Sequence, residues 1–238
     1  MFEKKYLLGP SDVDSNLDLK MSVFFLMMQD AATEHAEQLG IGKNKTMDIG
    51  RNWVITRTQV EVIKLPKYLD HVTIKTYPGD NLRIFFPRYF VLVDENDNPL
   101  IKASTCWAVI DSNTRKIVMD PFPNVMLPTE HYDWELEMPK KCALDDNLSF
   151  VENRNVRYSD IDLNGHLNNT RYVEYFVDTH PVTFYKENTI KNLLINYEKE
   201  IRAGDEVSFY SNRENPECIV GKVNGNNSFI VNIKYEKR

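Results

Sequence analysis

Between Val156 and Tyr172 the chain runs Val-Arg-Tyr-Ser-Asp-Ile-Asp-Leu-Asn-Gly-His-Leu-Asn-Asn-Thr-Arg-Tyr, with Asp160, Asp162, Asn164 and His166 at alternate positions. In extended backbone alternate side chains share a face, so two carboxylates, an amide and an imidazole would point the same way. Such a set can orient water or a polar substrate, and the histidine can handle a proton near neutral pH. Asp160, Asp162, Asn164 and Gly165 also open like a calcium loop. The twelfth position of that loop should be a bidentate glutamate but is Arg171, and the residues before Asp160 read as a strand rather than an entering helix. A calcium site is therefore rejected. Turn and capping propensity accounts for part of the pattern, since Asp, Asn and Gly favour turns and Asn168 or Asn169 can cap a following helix.

An internal repeat separates the two readings. Ser11-Asp-Val-Asp-Ser-Asn16 falls on Ser159-Asp-Ile-Asp-Leu-Asn164 at an offset of 148, with four of six residues identical. The first copy keeps Asp12, Asp14 and Asn16 but has Leu17-Asp18 where the second has Gly165-His166. Either version would serve a turn, so His166 marks the second copy as the one equipped for chemistry. His35, on an apolar helix face, reads as a core or interface histidine.

The elements that must position these residues repeat too. Phe24, Phe25, Met28, Ala31, Ala32, His35 and Leu39 recur at helical spacing, as do Tyr172, Val173, Phe176 and Val177 in a second helix that Pro181 should end. Period-two alternation predicts strands over residues 53–62, 72–77, 88–93 and 105–110 in the first copy, and over 192–201, 206–211, 218–223 and 229–235 in the second. Asp94 to Pro99 and Asn224-Gly-Asn226 read as hairpin connections. A helix followed by strands able to cover it is an α+β arrangement. The expected organisation is an N-terminal unit over 1–120, a proline-bearing connector over 121–150 (Pro121, Pro123, Pro128, Pro139) and a C-terminal catalytic unit over 151–238.

Composition narrows the function classes. The chain has 238 residues, 42% of them hydrophobic, enough to bury a core. Its net charge of -6 offers no basic excess for phosphates, which argues against nucleic acid. No apolar run approaches the ~20 residues of a membrane span, and the N-terminus lacks a signal-peptide core. Three scattered cysteines, Cys106, Cys142 and Cys218, fit a reducing compartment, so a soluble, unprocessed, cytoplasmic protein is expected. There is no G-x-S-x-G elbow, Walker loop, G-x-G-x-x-G or H-E-x-x-H.

Asp162-Leu-Asn-Gly-His-Leu-Asn-Asn169 resembles the D-x-N-x-H-x-N-N signature of the acyl-acyl-carrier-protein thioesterases, of the plant FatA/FatB and bacterial type. Leu26 to Ala36, Trp53-Val-Ile-Thr-Arg57 and Ala103 to Asp111 match other recurrent segments of that family, in order along nearly the whole chain. The resemblance implies a tandem double hotdog fold, no metal or organic cofactor, and hydrolysis of fatty acyl-carrier-protein thioesters. It also implies a fourth site residue, Glu200 in Tyr197-Glu-Lys-Glu-Ile-Arg202, whose first-copy counterpart is read as Val62. Ile201 stands where plant members often carry a cysteine, so a cysteine nucleophile there is excluded. The implied site is Asp162, Asn164, His166 and Glu200. Glu200 is read as the base for water, Asn164 and His166 as hydrogen-bond donors, and Asp162 as their orienter or a second base; direct attack by a carboxylate stays open. The first unit is expected to be non-catalytic and to lie on the acyl-chain side, with Phe24, Phe25, Met27 and Met28 as core or channel wall. An acyl-CoA thioesterase or a non-enzymatic acyl-binding module are the alternatives, and a homodimer stays open. Arg171, Lys186, Lys191, Lys199 and Arg202 are the candidate cations for docking an acidic carrier.

Overall fold

The computed structural model describes residues 1–122, 125, 127–128, 130–212 and 217–238, so Pro123 of the expected connector lies outside the described residues. The chain divides into two compact units, one of residues 1–20 and 26–139 and one of residues 21–25 and 140–238.

The first unit contains strands β1 (Phe2–Leu7), β2 (Arg51–Val62), β3 (His71–Pro78), β4 (Phe86–Val93) and β5 (Pro99–Asp111), with helix α2 (Lys43–Asp48) and, from residue 26 on, helix α1 (Met21–Gln38). Its strands hydrogen-bond in the order β1-β3-β4-β5-β2, all antiparallel. Helix α1 buries Phe24, Phe25, Met27, Met28, Ala31 and His35, the stripe expected from its spacing. His35 meets β4, where Arg88 donates to its Nδ1 at 3.2 Å, and stacks on Phe2 of β1. The described residues between Ser112 and Leu148 form no helix or strand. Part of this stretch is tied to the first unit through Tyr132 and Trp134, both packed on Tyr77, while Glu135 accepts from the Tyr77 hydroxyl.

The second unit repeats the plan with β6 (Ser149–Asn155), α3 (Asn169–Val177), α4 (Val182–Glu187), β7 (Asn188–Tyr197), β8 (Glu206–Ser211), β9 (Cys218–Val223) and β10 (Asn226–Lys237). Its order, β6-β8-β9-β10-β7, is the order of the first unit taken strand for strand. Helix α3 starts at Asn168, whose side chain accepts from Thr170 N at 2.9 Å. It buries Tyr172, Val173, Tyr175 and Phe176, each contributing about 1.5–3 kcal/mol of apolar transfer. Tyr172 packs edge-on against Tyr197 of β7 and Phe229 of β10, and Tyr175 against Phe209 of β8. The β9–β10 connection is a tight turn with both Asn224 (φ +50°) and Gly225 (φ +76°) in the left-handed region, as the Asn-Gly signal anticipates.

Two sequence expectations are corrected. Pro181 does not end α3, which stops at Val177; it precedes α4 instead. Strand β7 runs from Asn188 to Tyr197 rather than from 192 to 201, because Glu198 N and Lys199 N both bond the single carbonyl of Ser228, at 2.9 and 3.0 Å, and turn the chain out of the ladder. Glu200 therefore lies in a loop beyond the strand. Strand β1 and helices α2 and α4 were not anticipated.

Candidate active site

Two loops of the second unit, residues 156–168 and 198–205, are zipped together by backbone bonds. Leu167 N donates to Ile201 O at 2.8 Å, Val156 N to Asp205 O at 2.9 Å and Gly204 N to Val156 O at 3.3 Å, and His166 pairs with Arg202 as an antiparallel bridge. This zipper brings His166 Nε2 to 3.1 Å from Glu200 Oε2, across 34 residues of sequence. Arg202 stands 3.9 Å from the same carboxylate oxygen. Both His166 and Glu200 are part-exposed, so the pair can meet a substrate.

Asp162 is the keystone of the first loop. Its Oδ1 accepts from Asn164 N at 2.8 Å and His166 N at 3.2 Å, and its Oδ2 from Asn164 Nδ2 at 3.1 Å. Both carboxylate oxygens thus hold the loop, which favours the orienting role over the base. The contact fixes the Asn164 amide as well, since its nitrogen donates to Asp162. Gly165, at φ +78°, makes the reversal that returns His166 to the zipper.

Asp160 anchors the base of the same loop. It accepts from Arg157 N at 2.9 Å and from the Tyr175 hydroxyl at 2.8 Å, and its carbonyl accepts from Asn168 N. Burial, and then the hydrogen bond to Asp160, pushes the Tyr175 phenol above its ordinary range, so it stays a neutral donor. Tyr175 was not singled out by sequence, although position 27 of the first copy, Met27, has no hydroxyl to offer.

The first unit builds the same loop with different chemistry. Asp14 Oδ1 accepts from Asn16 N at 2.7 Å and Asp18 N at 3.1 Å, Leu17 takes the left-handed position at φ +63°, and Leu19 N donates to Pro66 O at 2.9 Å. Ile63 N and Lys64 N both bond Leu100 O, as Glu198 N and Lys199 N bond Ser228 O. These bonds set the register: Pro66 corresponds to Ile201 and Leu65 to Glu200. The first-copy counterpart of Glu200 is Leu65, not Val62. In this copy the histidine position holds buried Asp18, paired at 2.6 Å with Lys67, and the Glu200 position holds an alkyl chain.

The thiols stand apart. Cys106, Cys142 and Cys218 are all buried, and burial pushes Cys106 and Cys218 above the ordinary thiol range, away from the reactive thiolate. Among the described residues no group of three His, Cys, Asp or Glu side chains is placed to hold a metal ion, and no helix is long and apolar enough to cross a membrane.

Residues 1–121 match the family model of the acyl-ACP thioesterase N-terminal domain and residues 134–237 that of the C-terminal domain. The chain is 24% identical to the Arabidopsis thaliana oleoyl-acyl carrier protein thioesterase 2, over 99% of this chain and 69% of that protein. It is 25% identical to the Cinnamomum camphora dodecanoyl-[acyl-carrier-protein] hydrolase, over 83% of this chain and 54% of that one. The chain thus spans about half to two thirds of these relatives' length. A crystal structure of an acyl-ACP thioesterase from Bacteroides thetaiotaomicron superposes with TM-score 0.90 at 26% identity, covering 98% of this chain and 97% of the other. The Umbellularia californica 12:0-ACP thioesterase shares the fold at TM-score 0.82 and 18% identity, over 100% and 97% of the two chains. The repeated units are hotdog folds, and the chain belongs to the acyl-ACP thioesterase family.

Proposed function

We propose that the second unit hydrolyses the thioester of fatty acyl-carrier protein at Glu200, with His166, Asn164 and Asp162 completing the site, and that the first unit is non-catalytic. The observation that carries this reading is the 3.1 Å pairing of His166 Nε2 with Glu200 Oε2, absent from the otherwise matching loop of the first unit. In the hydrolysis a water oxygen attacks the thioester carbonyl carbon while its proton passes to the Glu200 carboxylate. A positioned base of this kind contributes typically ~10²- to 10⁴-fold. His166, donating through Nε2, holds the carboxylate in place. The Asn164 amide is the donor for the oxyanion, where one well-aimed donor is worth about 3 kcal/mol. Collapse of the intermediate breaks the carbon–sulfur bond, and the proton held by Glu200 neutralises the departing thiolate. Atoms balance as fatty acid and carrier thiol.

The free, buried cysteines support a reducing compartment, the cytoplasm. The test is hydrolysis by the purified protein of carrier-protein esters from C8 to C18 beside the matching CoA esters. Release of fatty acid with higher kcat/KM on carrier-protein esters is expected. Preference for CoA esters would transfer the activity to the acyl-CoA alternative, and no hydrolysis of either would leave an acyl-binding module.

A further inference from the structure

Two hydroxyls on one face of α3 have no counterpart in the first copy. Tyr172 and Tyr175 are 4% and 0% exposed and stand three residues apart, so they are neighbours on the helix surface. At the offset of 148 their places fall on Phe24 and Met27, which are also buried but carry no oxygen. Both tyrosine rings pack on strands of the second unit, and the first copy shows that apolar burial at these places asks for no hydroxyl. A buried phenolic oxygen needs a polar partner, and each of the two finds one in a different site loop.

Tyr175 donates to Asp160 Oδ2 at 2.8 Å, at the base of the loop that carries His166. That loop closes without the hydroxyl. In the first copy the Asp12 carboxylate accepts from Gly9 N at 2.7 Å and its carbonyl from Lys20 N at 2.9 Å, the same bonds that Asp160 makes with Arg157 N and Asn168 N, at 2.9 Å each. The Tyr175 bond is therefore an addition that ties a finished loop to α3. Tyr172 does the same for the other loop: its oxygen takes a hydrogen bond from the backbone N–H of Ile201, the residue after Glu200. The first-copy counterpart of Ile201 is Pro66, which has no N–H. Donor and acceptor are thus missing together in the copy that lacks the histidine and the glutamate. Burial holds both phenols above their ordinary range, so both hydroxyls stay neutral.

We infer that Tyr172 and Tyr175 are positioning residues: from one helix, one hydroxyl holds the loop of Glu200 and the other the loop of His166, and together they set the 3.1 Å approach of the pair. This inference rests on the proposed role of Glu200 and names what fixes its geometry. Misplacing a reacting group by an ångström costs on the order of 10²-fold in rate, so a hydrogen bond that touches no substrate still shows in kcat.

The experiment compares wild type with Tyr172→Phe, Tyr175→Phe and Tyr185→Phe, measuring melting temperature, kcat and KM on an acyl-carrier-protein ester, and amide hydrogen exchange. Each change removes one hydroxyl oxygen and keeps the ring. Tyr185 is the control, because its hydroxyl donates to Val177 O, at 3.1 Å, at the far end of α3 rather than to a site loop. Tyr172→Phe and Tyr175→Phe should each lower kcat at least about tenfold with KM within about twofold, whereas Tyr185→Phe should keep kcat within about twofold at a comparable loss of melting temperature. Exchange should quicken at least about tenfold at Ile201 N in Tyr172→Phe, and at Arg157 N and Asn168 N in Tyr175→Phe. A kcat within about twofold of wild type in both of these variants overturns the inference, as does an equal fall of kcat in Tyr185→Phe. If wild type hydrolyses neither the carrier ester nor the matching CoA ester, the proposed activity falls and exchange alone decides: quickening at these amides keeps the two hydroxyls as the mounts of the loops, and unchanged exchange removes them.

Discussion

Glu200 and His166 were legible to different degrees, and the reason is physical. His166 stands inside a repeated loop, where its absence from the first copy exposes it as a gain. Glu200 lies beyond the last ladder residue of β7, in a segment whose register is set by two N–H groups sharing the Ser228 carbonyl, and sequence alone carries no trace of that sharing. The family resemblance located Glu200, but its first-copy counterpart was misread by three positions, from Leu65 to Val62. His35 makes a separate point at this scale. Arg88 can only donate, so the Nδ1 it meets must accept, and His35 is neutral with its proton on Nε2. Burial, and then the Arg88 charge, lowers its pKa to about 4 from 6.5. The unfolded chain therefore binds more protons between those values, and stability must fall as pH drops through the window. Thermal unfolding from pH 7 to pH 4.5 should cost wild type about 2 kcal/mol more than His35→Gln, which keeps an acceptor for Arg88. Parallel curves would contradict a neutral buried His35.

At the scale of elements, what sequence missed is what tertiary context supplies. Strand β1, Phe-Glu-Lys-Lys-Tyr-Leu, is an edge strand whose charged outer face dilutes the apolar signal. The second-unit strands Glu206–Ser211 and Cys218–Val223 were read to the residue, because turn-favouring residues such as Gly204, Asn212 and Asn224 flank them in the sequence. Strand β7 was extended too far because Ile201 is β-branched and buried, yet it is buried in the loop that carries Glu200. The glycine of the motif is conformational in this reading. Gly165 sits at φ +78° with no atom within 4 Å of an added Cβ, and the first copy accepts Leu17 in the same conformation. Gly165→Ala should therefore lower stability by about 1 kcal/mol while keeping kcat within about fivefold. A hundredfold loss of kcat at unchanged melting temperature would give that position a role beyond shaping the turn.

For the whole molecule, duplication followed by divergence explains why one chain carries two matching loops and one histidine–glutamate pair. The strand order, the carboxylate holding each loop and the shared carbonyl beyond the strand are the same in both units, so they serve folding. Where the second unit sets His166 against Arg202 and beside Glu200, the first sets Asp18 against Lys67 in a salt bridge and has Leu65 in the place of Glu200. Asn16→Ala and Asp18→Ala should then reduce stability, each by about 1 kcal/mol or more, with kcat on the carrier-protein ester retained within about threefold; a catalytic collapse at Asn16 with intact folding would place chemistry in the first unit. The α+β class and the repeat could be read from pattern because the first-copy loop still matches the second at four of six positions, whereas the exposure of Tyr158 and Leu163 could not, since exposure is a tertiary property. The most direct measurement is kcat of Glu200→Ala on an acyl-carrier-protein ester, with folding checked by melting temperature. A fall of at least about 10²-fold in a folded protein is expected, and retention of more than about half the wild-type rate would remove Glu200 as the base.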